Sequence, residues 1–121
     1  MPRESSPSAG ATYLDKAARL NELRAAARRA AARMPHLRRL ILFGSLVDGI
    51  PTPRSDADLL AVVEESTDPR PRDRIPELLR TLSPLPCPVD LWVLTAAEID
   101  RAIEEGSPLV REAVEKGIDL L

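Results

Sequence analysis

The sequence has few aromatic residues, one cysteine and one histidine, and each shortage excludes a class of protein. Aromatic residues account for 2% of the 121 residues, which is too few for the row of rings on which single-stranded nucleic acid stacks. The lone Cys87 excludes an internal disulfide. Together with the lone histidine it also excludes a zinc site of the ordinary Cys/His kind. The core must therefore be built from aliphatic side chains.

Long apolar runs are absent as well. No stretch reaches the roughly 20 apolar residues that a transmembrane helix needs, and residues 1–10 lack the apolar segment of a signal peptide. We therefore expect a cytoplasmic protein without membrane contact. Residues 1–10 are rich in Ser and Pro and are predicted to be a disordered tail, which leaves residues 11–121 as a single domain.

Charge is unevenly distributed along the chain, although the formal net charge is only -2. Residues 1–39 contain nine Lys and Arg against three Asp and Glu, whereas residues 40–121 contain eight against sixteen. Much of the positive charge falls in the first predicted helix, at Arg19, Arg24, Arg28, Arg29 and Arg33. A helix face of this kind is more often solvated or paired with an acidic partner than bound to nucleic acid, so nucleic acid is not the expected ligand.

Apolar periodicity and turn residues predict an α/β domain. The first helix is predicted to begin at a cap on Thr12, with Asp15 completing a variant capping box, and to end before Pro35. Strands are predicted at 37–43, 58–63 and 89–94, helices at 72–82, 96–105 and 108–116, and a short edge strand at 118–121. This alternation of helices and strands is typical of the α/β class.

A Gly-Ser pair stands where the first predicted strand ends at Phe43 and a short helix is expected to open. The first turn of a helix presents unpaired N–H groups and a partial positive charge, and both favour phosphate. Gly44 has no Cβ to keep the backbone away from a ligand, and Ser45 adds a hydroxyl donor. Gly44 and Ser45 are therefore predicted to bind phosphate.

Three carboxylates are predicted to form a metal site. Asp56 and Asp58 are two residues apart, so on an extended chain their side chains point to the same face and offer the hard oxygen ligands that Mg²⁺ prefers. Asp90 is the only polar residue of its strand and joins the pair if the two strands are neighbours. Trp92 is expected on the same face of the strand as Asp90. It could line the site, but packing in the core is the favoured role. Three carboxylates repel one another unless cations lie between them, and a pair of metal ions is a known solution for phosphoryl transfer.

The spacing of these residues, Gly44 and Ser45 followed by ten residues and then Asp56 and Asp58, resembles the signature of the minimal nucleotidyltransferases related to DNA polymerase beta. Asp90 matches the third carboxylate of that family by its position in a strand. The resemblance implies a small mixed β-sheet flanked by helices, ATP as the nucleotide substrate and two Mg²⁺ ions. It also implies that the three aspartates are catalytic and metal-binding, and that Gly44 and Ser45 bind the nucleotide.

Stand-alone members of that family are often paired with a HEPN-type toxin ribonuclease, which implies an antitoxin that adenylylates a hydroxyl of its toxin. The sequence departs from the family pattern at Leu46, Val47 and Asp48, which stand in place of basic residues; Arg54 or an arginine of the first helix would have to compensate. This departure keeps open a non-catalytic antitoxin that acts by binding. Transfer to a small molecule such as an aminoglycoside is a third alternative, although such enzymes usually carry an additional substrate domain. Oligomer formation is left open.

Overall fold

The computed structural model describes residues 7–44, 47 and 56–121. Within these residues, four α-helices and four β-strands follow one another along the chain. The helices are α1 (Pro7–Arg33), α2 (Ile75–Leu82), α3 (Ala96–Glu104) and α4 (Pro108–Lys116), with a 3-10 helix at Pro71–Arg74 directly before α2. The strands are β1 (Leu37–Phe43), β2 (Ala57–Val63), β3 (Val89–Thr95) and β4 (Ile118–Asp119). None of the described helices is both long and apolar enough to cross a membrane.

The strands form one mixed sheet in the order β3-β2-β1-β4. β2 is antiparallel to β1 and parallel to β3, and β4 pairs antiparallel with the outer edge of β1. A parallel pair requires a crossover connection, which the 3-10 helix and α2 supply. The predicted α/β fold, a small mixed sheet flanked by helices, is therefore confirmed, and the C-terminal tail adds the expected edge strand.

The sheet separates two aliphatic cores, because alternate residues of each strand point to opposite faces. On the α1/α2 face, these two helices cover a cluster that includes Leu40 and Leu59. On the α3/α4 face, the other two helices cover a cluster that includes Phe43 and Leu60. Every residue of β2 is buried except Asp58, which is half-buried. Asp58 is therefore the one side chain of β2 that is partly open to water.

The first helix begins earlier than the sequence predicts. α1 starts at Pro7, so residues 7–10 are helical where a disordered tail was expected; residues 1–6 lie outside the described residues. Proline suits the first position of a helix because the N–H that it lacks would have no helical partner there. The predicted cap at Thr12 is therefore wrong, since that residue lies inside the helix. The predicted end before Pro35 is confirmed, because α1 ends at Arg33.

The last two helices begin as their sequence signals predict. Thr95 and Glu98 form the full capping box of α3, in which each side chain accepts a hydrogen bond from the backbone N–H of the other residue. Ser107 caps α4 by accepting a hydrogen bond from the backbone N–H of Val110. Pro108 occupies the first turn of that helix, where its missing N–H costs nothing.

Gly117 holds the end of α4 against the sheet. A Cβ at this position would lie 3.0 Å from the carbonyl oxygen of Leu42 and would collide with the side chain of Ile41. The helix therefore meets β1 at the end of the strand where Phe43 leads into Gly44.

Arg74 is the one buried charged residue in the described part of the chain. It donates hydrogen bonds to both carboxylate oxygens of Glu98, at 2.7 and 3.1 Å, and to the carbonyl oxygens of Asp68 and Val93. The hydrogen bond from Arg74 is also the main cause that lowers the pKa of Glu98. These bonds fasten the crossover connection to the outer edge of β3 and to the start of α3.

Candidate active site

Asp58 and Asp90 stand side by side in the sheet. β2 and β3 run parallel with Asp58 opposite Asp90, and on the other side of β2 the partner of Asp58 is Phe43 of β1. By strand alternation both aspartates share a face with Leu60, which belongs to the α3/α4 core. The structure thus brings Asp58 and Asp90 together, as the sequence led us to expect if their strands were neighbours.

Asp58 is the common neighbour of three other carboxylates. Its pKa is raised above the ordinary value, chiefly by desolvation on burial and then by the negative charges of Asp90, Asp56 and Glu112, with a further contribution from a side-chain hydrogen bond with Asp90. Asp56 lies directly before β2 and is exposed, and Asp90 is exposed on β3. Such crowding favours a proton or a cation at Asp58.

Gly44 is required by the position of Asp58. Its φ of +83° lies in the left-handed region that favours glycine. A Cβ on Gly44 would collide with one carboxylate oxygen of Asp58 and lie 3.2 Å from its Cγ. From the sequence, a glycine at position 44 is expected because a phosphate must approach the backbone. The structure adds a second reason for glycine, because the carboxylate of Asp58 occupies the space that a side chain at position 44 would need.

Four residues discussed from the sequence lie outside the described residues, so the roles expected of them stay predictions: Ser45 of the predicted phosphate turn, Leu46 and Asp48 after it, and Arg54 in the loop. Val47 is described and is helical. Its side chain is half-buried and packs against the α1/α2 core, on the side of the sheet opposite the carboxylates. The absence of a basic residue at position 47 is therefore explained by packing.

The arginines of α1 belong to the other side of the sheet, because α1 packs on the α1/α2 face. Arg29 donates hydrogen bonds to the carbonyl oxygens of Leu82 and Pro84, at 3.0 and 2.9 Å, so it joins α1 to the end of α2. This placement weakens the interpretation that an arginine of α1 compensates for the missing basic residues after Ser45.

The residues around Asp58 fit a divalent cation that is shared with a substrate. Asp58 is paired with Asp90 across the two strands, and Asp56 directly precedes β2; carboxylates are the ligands that Mg²⁺ prefers. Among residues 7–44, 47 and 56–121, no three Asp, Glu, His or Cys side chains are close enough to enclose one metal ion. Mg²⁺ usually takes one or two carboxylates and completes its shell with substrate phosphates and water. Asp58 with Asp56 or Asp90 fits such a shared site.

Two features beside the aspartates were not assigned to the site from the sequence. The first is Glu112 of α4, whose charge acts on Asp58. The second is an aromatic pair of Phe43 and Trp92, with ring centroids 5.7 Å apart and ring planes at 46°. Trp92 is half-buried against the α3/α4 core, as predicted, yet it stands two residues from Asp90 on the same face. The aromatic pair therefore forms the boundary between that core and the carboxylates.

Comparison with known proteins identifies the class of this fold and site, which is that of enzymes that transfer nucleotidyl groups. Residues 23–120 match the nucleotidyltransferase domain family, so the match spans most of the chain and includes all three aspartates. The chain therefore belongs to the nucleotidyltransferase domain family, whose members generally use a nucleoside triphosphate and a divalent metal ion.

The fold also matches a solved structure. A crystal structure at 1.40 Å resolution of a protein from Sulfolobus solfataricus, described as a candidate nucleotidyltransferase, superposes with a TM-score of 0.65 and 22% sequence identity. The superposition covers 98% of this chain and 89% of that one. At this identity the likeness concerns the fold alone. No curated protein matches the sequence closely enough to count as a relative.

Proposed function

We propose that the protein transfers AMP from ATP, in the presence of Mg²⁺, to a hydroxyl group of a HEPN-type toxin and thereby acts as its antitoxin. The observation that carries this proposal is the pairing of Asp58 with Asp90 in adjacent strands, with Gly44 against the carboxylate of Asp58. Membership of the nucleotidyltransferase family supports nucleotidyl transfer in general. The choice of ATP and of a toxin acceptor rests on the resemblance of the motif to the minimal family members.

The proposed roles follow from the positions of the residues. Asp58, with Asp56 and Asp90 beside it, holds divalent cations, which when bound supply charge neutralisation at the reacting phosphates. Gly44 and Ser45 receive the phosphates at the turn that the sequence predicts after β1. Asp90 is exposed at the edge of the sheet, where it accepts the proton of the acceptor hydroxyl.

The reaction exchanges a phosphoanhydride bond for a phosphate ester. The hydroxyl oxygen of the acceptor bonds to the α-phosphorus, and the bond from that phosphorus to the oxygen that bridges to the β-phosphate breaks. Pyrophosphate leaves with the electron pair of that bond, while the hydroxyl proton passes to Asp90. Within the described part of the chain β3 is an outer strand, so Asp90 is open to an acceptor as large as a protein.

A binding-only antitoxin is the second candidate, because the residues at positions 46 and 48 are not basic. Such a protein would neutralise its toxin whether or not the carboxylates were intact. Adenylylation of a small molecule is a third candidate, in which the toxin would be neither bound nor modified.

One assay separates these candidates. The protein is incubated with the product of its neighbouring gene, Mg²⁺ and ATP labelled at the α-phosphate. We expect label on the neighbouring protein and release of pyrophosphate. The double substitution Asp56→Asn with Asp58→Asn should abolish labelling without unfolding, whereas Asp100→Asn, an exposed carboxylate of α3 outside the site, should have no effect.

Each other outcome overturns the proposal in a defined way. A binding-only antitoxin is identified if the toxin is neutralised without being labelled, and if the double variant neutralises it as well as the wild type does. Label that appears only on an added small-molecule hydroxyl identifies the third candidate. Normal labelling by the double variant removes the assignment of the site.

A further inference from the structure

The outer edge of β3 is covered over only part of its length. In the second half of the strand, Arg74 donates a hydrogen bond to the carbonyl oxygen of Val93, at 3.1 Å. The backbone N–H of Thr95 donates to a carboxylate oxygen of Glu98, at 2.8 Å. The crossover connection and the capping box of α3 therefore occupy the edge at the end of β3.

The first half of the same edge carries backbone groups that point away from the sheet. The carbonyl oxygen of Pro88 accepts a hydrogen bond from Ala57 of β2, at 3.0 Å. Successive residues of a strand turn their N–H and C=O groups to opposite sides, so those of Val89 and Leu91 face outwards, as the carbonyl of Val93 does. Among residues 7–44, 47 and 56–121, no strand pairs with these groups and no backbone hydrogen bond engages them.

The side chains of Val89 and Leu91 belong to the α1/α2 core, so the backbone is what these two residues offer at the edge. Between them lies Asp90, whose exposed side chain is on the opposite face of the sheet. The unpaired part of the edge is thus the part that flanks the carboxylate to which the proposed function assigns the proton of the acceptor.

A strand added antiparallel to this edge would exchange hydrogen bonds with Val89 and with Leu91. One of its residues would then lie directly opposite Asp90, in a pair that is not joined by hydrogen bonds. Pairs of this kind have Cα atoms about 4.5 Å apart and side chains on the same face. The side chain of that residue would point to the carboxylate of Asp90.

We propose that residues 89–91 bind an extended segment of the acceptor polypeptide as an added antiparallel strand, with the hydroxyl residue that is modified opposite Asp90. This inference rests on the proposed function, because the role of Asp90 requires a hydroxyl at that place. An unpaired strand edge is a template for pairing with another chain, and the main-chain hydrogen bonds of such pairing accept many sequences. Only two residues of the edge offer hydrogen bonds, so the modified segment can leave after transfer.

A proline at position 89 tests the edge, because proline has no backbone N–H. The N–H of Val89 faces outwards, so Val89→Pro leaves the pairing of β2 with β3 intact. Val89→Ala is the matched control, since it loses the same side-chain contacts and keeps the N–H. Transfer of label from ATP is measured at increasing concentrations of the neighbouring gene product. We expect the KM for that protein to be about three- to tenfold higher in Val89→Pro than in Val89→Ala, with equal kcat and equal KM for ATP.

Amide hydrogen exchange gives a second measurement that requires no transfer. The amides of Val89 and Leu91 should exchange rapidly in the free protein and become protected in the complex with the neighbouring gene product. The amides of Asp90 and Trp92 face β2 and serve as internal controls, because they should be protected in both states.

The proposal is overturned if the complex forms without protection of Val89 and Leu91, or if the two variants, shown to be folded by thermal unfolding, have the same KM for the acceptor. Slow exchange of these amides in the free protein would also overturn it, since the edge would then be covered by this chain or by a second copy. Where Val89→Pro does not fold, the exchange measurement decides.

The same measurements separate this inference from the proposed function. Label on the neighbouring protein without protection of the edge removes the inference and leaves the transfer reaction. Protection without label keeps the binding edge and removes the transfer reaction. A neighbouring protein that neither binds nor is labelled removes both.

Discussion

The carboxylate of Asp58 fills the space that a side chain on Gly44 would need. The two residues come from different strands and are brought together by the pairing of Phe43 with Asp58. Gly44 and Asp58 are therefore one structural unit, in which the glycine makes room for the carboxylate. Replacing the glycine disturbs a predicted metal ligand even where no phosphate is bound.

Gly44→Ala is expected to destabilise the protein by roughly 1–3 kcal/mol for the left-handed backbone, with an added cost for the collision with Asp58. Gly106→Ala is the matched control, because its φ is +81° and a Cβ there meets no atom within 4 Å. Urea unfolding measures both costs. The excess for Gly44→Ala should disappear in an Asp58→Ala background, and equal costs for the two alanine variants would show that Asp58 does not press on residue 44.

Asp58→Asn is expected to stabilise the metal-free protein at neutral pH while abolishing transfer. The pKa of Asp58 is raised, chiefly by burial, so the folded state holds this proton more tightly than the unfolded state does. The ionised carboxylate therefore costs stability as pH rises from the ordinary value of 3.8 through the folded pKa.

The gain from Asp58→Asn should accordingly be absent in acid and complete near pH ~7. Thermal unfolding in EDTA across this range measures it. Added Mg²⁺ should raise the melting temperature of the wild type but not that of the variant. An Asn variant that melts below the wild type at neutral pH in EDTA would contradict the prediction.

Glu98→Ala is expected to cost about 2 kcal/mol, because it leaves the buried Arg74 with carbonyl partners only. Breaking a fully buried ion pair costs roughly 3–5 kcal/mol, and solvent screening lowers the figure here because the side chain of Glu98 is 35% exposed. The exposed pair of Arg101 and Glu105 is the control, and Glu105→Ala should cost less than about 0.5 kcal/mol. Similar costs for the two variants would mean that Arg74 does not depend on Glu98.

The contribution of Glu98 should also depend on pH. Its pKa is lowered, mainly by the hydrogen bond from Arg74. The stabilisation is therefore fully present above the ordinary value of 4.5 and is lost as pH falls through the lower folded pKa. The difference in unfolding free energy between wild type and Glu98→Ala, measured at decreasing pH, should shrink in that window and not above it.

The arginines of α1 are expected to differ in role. Arg29→Ala should cost about 1–2 kcal/mol, because it leaves the carbonyl oxygens of Leu82 and Pro84 without their donor. Arg28 is exposed, and Arg28→Ala should change stability by less than about 0.5 kcal/mol. Chemical denaturation distinguishes them, and equal effects would show that the hydrogen bonds of Arg29 add nothing.

A partner bound through α1 should respond to Arg24 and Arg28 together. Replacing both with alanine should slow association and flatten its dependence on salt, because peripheral charges act mainly on the encounter rate. Mn²⁺ binding at the carboxylates should be unchanged. Stopped-flow mixing with the neighbouring gene product at several salt concentrations measures this, and an unchanged association rate would exclude the α1 surface from the interface.

Helix caps, helix ends and strand bounds were predictable from the sequence, because they depend on residues that are close together in the chain. The bounds of β1, the capping box of Thr95 and Glu98 and the end of α4 at Gly117 follow from spacing within a few residues, and the structure confirms them. The sequence placed Asp90 beside Asp58 on the condition that their strands are neighbours, and the parallel pairing of β2 with β3 meets that condition.

What the sequence could not supply depends on contacts between distant elements. The charge of Glu112, which lies on α4, contributes to the raised pKa of Asp58, and no spacing in the chain encodes that contribution. The sequence also gave no sign that Arg29 donates hydrogen bonds to the end of α2. It grouped Arg29 with the solvated arginines of the first helix, whereas the structure gives this side chain a structural role. Val47 stands where the family pattern has a basic residue, and the motif gave no sign that this side chain packs against the α1/α2 core.

The division of the sheet into two faces has a consequence for any protein held by α1. A sheet and the helices that cover it are each roughly 10 Å thick, so a ligand seated on the outer surface of α1 is separated from Asp90 by the body of the domain. One molecule can touch both only if it extends around the sheet. A protein docked on α1 alone therefore lies on the face of the sheet opposite the carboxylates, and it leaves the face that carries Asp58 and Asp90 uncovered.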